Sequence, residues 1–313
     1  MAPESPYRTD PAANDLRIAA TETSAKFAST VHRALTRSGI TILNTQVFSN
    51  GQMAVTPRDG GLGGNVVVVQ TFPDSVHDRL FELFLALGAV RARGPRTITA
   101  VLPYLPYSRS DRPAFDGGPV PVRILAGIIE TLGIDRLITF ELHVPQLCAA
   151  FACPVVNLQF APALVRHLGS AAVDGDMVVS PDFGGAKRAE HLAALLGCPF
   201  AVMRKHRRDD DDFRESVEIL GDVAGRTIIL IDDEINSGQT AFSAAAHLKA
   251  AGARKITLAA AHAIFTPSLN ENWGRSQIDR IVVTDSVGRT DNFPDSVEVV
   301  SIGNEIAGAL QAR

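Results

Sequence analysis

The chain has 313 residues, with 30 basic and 34 acidic side chains and a formal charge of −4. That balance offers no electrostatic footprint for nucleic acid or an anionic membrane, and no apolar run approaches the roughly 20 residues a bilayer span needs. Small-molecule chemistry is favoured, in a chain long enough for two domains of roughly 150 residues each.

Residues 1–14, MAPESPYRTDPAAN, are polar and Pro/Ala-rich with no apolar stretch. They read as a disordered lead-in and not a secretory signal, so cytoplasmic residence is expected. Leu16 to Phe27 then opens with a small-residue strand and turn, and Lys26 to Arg37 has helical spacing that Gly39 ends. Ile40 to Val47 is the next strand. It leads into FSNGQMAV, where Asn50-Gly51 is a strong two-residue hairpin cue. After DGGLGG, the run from Asn65 to Gln70 predicts a strand, Asp78 to Arg91 a helix and Thr97 to Leu102 a buried strand.

A loop with two Pro-Tyr steps, LPYLPYSRSDRP, precedes a helix predicted over Val122 to Leu132 and a strand over Arg136 to Phe140. Gln146 to Phe151 reads as a short helix and Pro154 to Leu158 as a short strand, with the domain boundary close by. The rhythm then repeats: helix Pro162 to Leu168, strand Asp176 to Ser180, the loop PDFGG, helix Lys187 to Leu196, strand Pro199 to Met203. The charge run RKHRRDDDDFRES and the strand Val217 to Leu220 follow. Strands over Lys255 to Ala261, Arg280 to Thr284 and Val297 to Ser301 and a helix over Ile302 to Gln311 complete the chain. The expected architecture is two similar α/β domains, 15–157 and 158–313, each a mostly parallel sheet flanked by helices, with the last helix a candidate to pack back on the first domain. Cys148, Cys153 and Cys198 form no metal-ligand spacing and leave an odd count, which suits buried reduced thiols.

The chemistry concentrates in RTIILIDDEINSGQT, from Arg226 to Thr240. Thr227 to Ile231 reads as a strand buried on both faces and Ala241 to Ala251 as a helix. Asp232 and Asp233 then stand at a strand's C-terminal end, where open α/β sheets bind ligands, and Ser237, Gly238 and Thr240 gather hydroxyls, N–H groups and a helix N-terminus suited to a phosphate. Asp, Asn and Ser also end strands and cap helices routinely, so a purely structural reading stands beside this one.

The corner resembles the ribose-phosphate loop of the phosphoribosyltransferase fold. Together with FSNGQ, PYLPYSRSDR, ITFELHVPQLCAAF with PVVNL, and VVSPDFGGAKRA, taken in order, the chain resembles the ribose-phosphate pyrophosphokinase family over nearly its whole length from Leu16. The resemblance implies transfer of the pyrophosphoryl group of Mg-ATP to ribose 5-phosphate, in a homo-oligomer, dimer or hexamer. It implies that Asp232 and Asp233 hold the ribose hydroxyls and that Asn236, Ser237, Gly238, Gln239 and Thr240 surround the 5-phosphate. It assigns Phe48, Asn50, Gln52, Arg109, Ser110 and Asp111 to ATP, His143 and Asp182 to Mg²⁺, and Lys205 and Arg207 to a mobile catalytic loop. Each has a plainer alternative: Phe48 as a core aromatic, Asn50 as a turn residue, His143 as structural, Asp182 as a helix cap, and RKHRR as a solvated surface run.

The family usually has an acid where Asn236 stands, Glu at Gln52, Gln at Ser110 and Asp at Glu141, and Glu234 adds an unusual charge beside the acid pair. These departures motivate a second reading, a weakly active or non-catalytic paralogue that regulates a true synthetase. A third is a phosphoribosyltransferase that consumes the activated sugar. The retained charged positions argue against the former, and a first half built for a nucleotide argues against the latter.

Overall fold

A computed structural model describes residues 16–58, 62–168, 177–206, 216–264, 266, 276–288 and 297–312. The chain divides into two compact units, Met1–Leu158 with Gly303–Arg313, and Gln159–Ile302.

The first unit contains β1 (Leu16–Thr21), α1 (Ala25–Ala34), β2 (Ser38–Val47), β3 (Met53–Pro57), β4 (Asn65–Val69), α2 (Val76–Arg91), β5 (Thr97–Leu102), α3 (Pro121–Thr131), β6 (Arg136–Phe140), a 3-10 turn (Pro145–Ala150) and β7 (Val155–Leu158). Its sheet has the order β3-β2-β1-β4-β5-β6-β7, parallel throughout except for the edge strand β3. The apolar strands NVVVV and TITAVL lie at its centre, because only a run without polar alternation can be covered on both faces.

The second unit contains α4 (Phe160–Leu168), β8 (Met177–Ser180), α5 (Ala186–Leu196), β9 (Phe200–His206), β10 (Ser216–Leu220), β11 (Thr227–Ile235), α6 (Gln239–Ala250), β12 (Lys255–Ala263), β13 (Arg280–Thr284) and β14 (Val297–Val300). The order β10-β9-β8-β11-β12-β13-β14 repeats the first sheet position for position, again with one antiparallel edge strand, β10. One face is packed by Ile228, Leu230, Ile256, Leu258, Ile281 and Val283 against Ala244, Ala245 and Leu248 of α6. The last helix, α7 (Gly303–Gln311), belongs to the first unit, where it lies on α1. A Cβ at Gly303 would fall 2.8 Å from Thr30 Oγ1, and Arg136 donates to the Ala309 carbonyl at 3.2 Å.

Among the boundaries that differ from those expected, three have a clear physical cause in strand pairing. β11 does not stop at Ile231; it continues to Ile235 because β12 runs beside it as far as Ala263, so the backbone of the acidic residues is inside the ladder. β9 extends to His206, paired with β10 through Lys205↔Val217 and His206↔Ser216. Lys205 is therefore on a strand and not in a loop, and Arg207 lies outside the described residues. α1 ends at Ala34, and Gly39 joins β2 opposite Arg17 because strand pairing takes up Ser38 and Gly39.

Candidate active site

In the second unit, β8 ends at Ser180 and the chain turns through Pro181-Asp182-Phe183-Gly184-Gly185 into α5. Ser180 Oγ donates to the Asp182 carbonyl at 2.6 Å, and the Gly185 N–H donates to Asp182 Oδ1 at 3.0 Å. A Cβ on Gly185 would fall 2.6 Å from Ser180 Oγ, so this close turn requires glycine. Asp182 thus closes the turn ahead of α5 and is an exposed carboxylate just past the strand end.

The neighbouring strand delivers the acid pair. Leu230 stands opposite Val179 of β8, so Asp232 projects just past the end of that strand, half-buried, while Asp233 is 3% exposed. The Asp233 N–H donates to Asp232 Oδ1 at 2.9 Å, and Arg188 of α5 brings Nη1 to 4.0 Å from the same oxygen. Burial pushes the Asp232 carboxyl well above the usual carboxylate range. Asp233 adds to that, and Arg188 opposes it. Arg188 carries no local signal in the sequence because it sits inside an ordinary helical stretch; only the fold brings it to Asp232.

Beyond Ile235 the chain crosses Asn236, Ser237 and Gly238 to reach Gln239, where α6 begins, two residues earlier than predicted. Gly238 occupies the cap position in the left-handed conformation, φ 77°, and no side chain caps the helix. The first N–H groups of α6, at Gln239 and Thr240, therefore have no side-chain partner from the cap residue, which suits an anionic ligand. Asn236 is exposed, and its carbonyl accepts the Thr266 N–H at 3.2 Å.

Behind the pair lies a polar cluster that the sequence reading did not assemble. Glu234 is opposite His262 in the ladder, and both are buried. His262 Nδ1 is 2.8 Å from Ser286 Oγ, which itself donates to the Ala261 carbonyl at 3.1 Å. A hydroxyl has one hydrogen, so His262 Nδ1 is the donor to Ser286.

In the first unit, the β2–β3 hairpin closes with the Phe48 N–H on the Gln52 carbonyl at 2.8 Å and the Gly51 N–H on the Phe48 carbonyl at 2.9 Å, with Gly51 at φ 81°. Asn50 Oδ1 accepts the Gln52 N–H at 3.1 Å, which is turn chemistry. Phe48 is 44% exposed and is not a core aromatic. Arg109 is exposed and Ser110 half-buried, in a turn where the Ser110 N–H meets the Tyr107 carbonyl at 2.8 Å. Asp111 Oδ2 lies 3.8 Å from Arg112 Nε. His143 is half-buried, two residues after Glu141, whose φ of 44° is unusual for a residue with a side chain.

His143 and Asp182 belong to different units, and among the described residues no three His, Cys, Asp or Glu side chains form a metal cage. The oxygen donor at Asp182 fits a magnesium ion that arrives with a polyphosphate, since Mg²⁺ commonly takes one or two protein ligands and keeps several waters.

Two copies of a mostly parallel sheet, one carrying an acid pair and an uncapped helix N-terminus at its C-terminal edge, define an α/β protein of the phosphoribosyltransferase fold. Residues 16–133 match the N-terminal domain of ribose phosphate pyrophosphokinase, and residues 158–301 match the phosphoribosyl transferase domain. Ribose-phosphate pyrophosphokinase 2 of Enterococcus faecalis is 35% identical over 267 residues, covering 84% of this chain and 82% of that protein. The ribose-phosphate pyrophosphokinase of Thermotoga maritima is 31% identical over 294 residues, covering 91% and 93%. The crystal structure of phosphoribosylpyrophosphate synthetase from Mycobacterium smegmatis superposes with a TM-score of 0.87 at 28% identity, covering 95% of this chain and 98% of that one. The chain belongs to the ribose phosphate pyrophosphokinase family of enzymes.

Proposed function

We propose that this enzyme transfers the β,γ-pyrophosphoryl group of Mg-ATP to the 1-hydroxyl of ribose 5-phosphate, giving phosphoribosyl pyrophosphate and AMP. The observation that carries the reading is the join of Asp232 and Asp233 to the uncapped N-terminus of α6. Two carboxylates accept hydroxyl hydrogens, and a helix N-terminus holds an anion. Vicinal hydroxyls and a phosphate on one small molecule satisfy both.

Asp232 and Asp233 orient the ribose through its hydroxyls, while Ser237, Gly238, Gln239 and Thr240 hold the 5-phosphate, with Asn236 beside them. The ribose 1-oxygen attacks the β-phosphorus, the bond from that phosphorus to the α-phosphate bridging oxygen breaks, AMP departs and the hydroxyl proton is lost to solvent. Phe48 stacks on the base, Asn50 and Gln52 supply polar contacts, and Arg109, Ser110 and Asp111 line the nucleotide. Lys205 and Arg207 neutralise charge on the transferring group. His143 in the first unit and Asp182 in the second are each assigned as a ligand for Mg²⁺, which when bound would supply further neutralisation. The reading includes a homo-oligomer, dimer or hexamer, in the cytoplasm; among the described residues no helix is long and apolar enough to cross a membrane.

Purified protein incubated with Mg-ATP and ribose 5-phosphate should form AMP and phosphoribosyl pyrophosphate in equal amounts. No AMP across a range of phosphate and metal concentrations would leave the regulatory paralogue. Pyrophosphate release that needs a free base and no ATP would instead identify a phosphoribosyltransferase.

A further inference from the structure

Helix α2 contacts the strand that leads into one loop assigned to the nucleotide, and contacts the other loop directly. Glu82 is fully buried yet carries a carboxylate. Its Oε1 accepts from Thr45 Oγ1 at 2.7 Å, and its Oε2 accepts from Arg79 Nη1 at 2.7 Å and Gln70 Nε2 at 3.3 Å. Arg79 also donates to Thr23 Oγ1 at 2.6 Å and Asp74 Oδ1 at 2.8 Å. Thr45 is on β2, just ahead of Phe48 and the hairpin. A buried ion pair is weak evidence for stability, because an apolar pair could fill the space; its attested use is to fix register. The register fixed here is that of β2 against α2.

The second contact is at the start of the same helix. His77 Nε2 lies 2.9 Å from Tyr107 Oη. Tyr107 has φ 63°, a left-handed conformation that a tyrosine keeps only when its surroundings impose it. Its carbonyl closes the turn that contains Arg109. The loop is braced a second time by Tyr104, whose ring meets Phe72 edge-on with centroids 6.3 Å apart, in the segment that leads into α2.

We propose that α2 is the positioning element of the nucleotide pocket: Glu82 acts through Thr45 on the Phe48–Gln52 hairpin, and His77 acts through Tyr107 on the turn bearing Arg109. This rests on the assignment of those two loops to ATP. None of the four residues is required to touch substrate, so their loss weakens ATP binding and leaves the sugar phosphate site alone.

The test compares Tyr107→Phe, His77→Ala, His77→Gln, Thr45→Val and Thr45→Ser with the unmodified enzyme, by initial rates and by calorimetric titration with ATP. Tyr107→Phe, His77→Ala and Thr45→Val should each raise KM and Kd for ATP roughly three- to tenfold, the scale of one lost hydrogen bond. kcat at saturating ATP and KM for ribose 5-phosphate should stay unchanged, and Thr45→Ser and His77→Gln should restore ATP affinity. Equal changes in both KM values, a fall in kcat alone, or no change in any constant would overturn the proposal. If Thr45→Val fails to fold, Tyr107→Phe, which removes one partly exposed oxygen, still decides. If the unmodified protein forms no AMP, the calorimetric arm reads the same loss; an unmodified protein that binds no ATP removes the loop assignment and the proposal with it.

Discussion

Replacing Asp232 by Asn should make the ligand-free protein more stable and the enzyme poorer. The carboxyl is half-buried beside the nearly inaccessible Asp233, with Arg188 no nearer than 4.0 Å. Its pKa is raised, first by burial and then by Asp233. A carboxyl raised in the folded state contributes stability in full below the ordinary range near pH 4, and that contribution is lost as pH rises through neutrality. Each pH unit in that window is worth about 1.4 kcal/mol for an isolated group. Asp233 shares the strain, and Asp232 retains contact with water and Arg188, so the gain for Asn near pH 7.5 is about 1–3 kcal/mol. That corresponds to a rise in Tm of roughly 3–10 °C for a domain of this size. Thermal melts of both proteins from pH 5 to 9 should show the variant's advantage growing with pH. Ribose 5-phosphate affinity, measured by calorimetry, should fall by about 1.5–3 kcal/mol with the lost charge-assisted hydrogen bond. A variant less stable than the parent at pH 8, or an advantage that shrinks as pH rises, would refute the electrostatic argument.

Arg188 holds the Asp232 pKa down, so Arg188→Gln should move the acidic limb of the kcat/KM profile for ribose 5-phosphate to higher pH; pH-rate profiles of the two proteins check this. Asn236→Asp restores an acid in the sugar-phosphate loop and should increase kcat/KM for ribose 5-phosphate severalfold, read by AMP formation under subsaturating sugar. Lys205→Ala should cut kcat roughly a hundredfold or more while the calorimetric Kd for ribose 5-phosphate stays within about twofold, as expected where a cation acts mainly on the transition state.

Much of the second unit was legible because its central strands are apolar on both faces, and Thr227 to Ile231 allowed no other reading. The end of β11 was not. Asp232, Asp233 and Glu234 are poor strand formers, and only the pairing of β12 through His262 and Ala263 draws them into the ladder. The same holds for β9, where Arg204, Lys205 and His206 look like a solvated run until β10 pairs with them. The FSNGQ hairpin was legible because Asn-Gly marks a turn, but Asn50-Gly51 is not a two-residue loop: the turn runs from Phe48 to Gly51, with Gly51 in the left-handed conformation at its end and the Phe48 N–H on the Gln52 carbonyl. Arg188 and His262 could not be read, since their partners are distant in sequence and no local pattern marks them. The similar plan of the two halves was legible in the repeated strand–helix rhythm, but the shared strand order was not, because topology persists where side chains have diverged.

That duplication makes the location of the sugar-phosphate chemistry a property of the strand ends and not of the fold. In the first unit the strand equivalent to β11 is β4, and it runs into Gln70 and Thr71, both fully buried. The Thr71 N–H is taken by Ser24 Oγ at 2.9 Å, and Gln70 donates to the Thr71 carbonyl at 2.9 Å and to Glu82 at 3.3 Å. The polar groups at that edge satisfy one another. In the second unit the same edge presents two acids and the uncapped α6 at Gly238. One copy of the plan thus uses its strand end to hold neighbouring loops in place, and the other is the end proposed above to take a phosphorylated sugar.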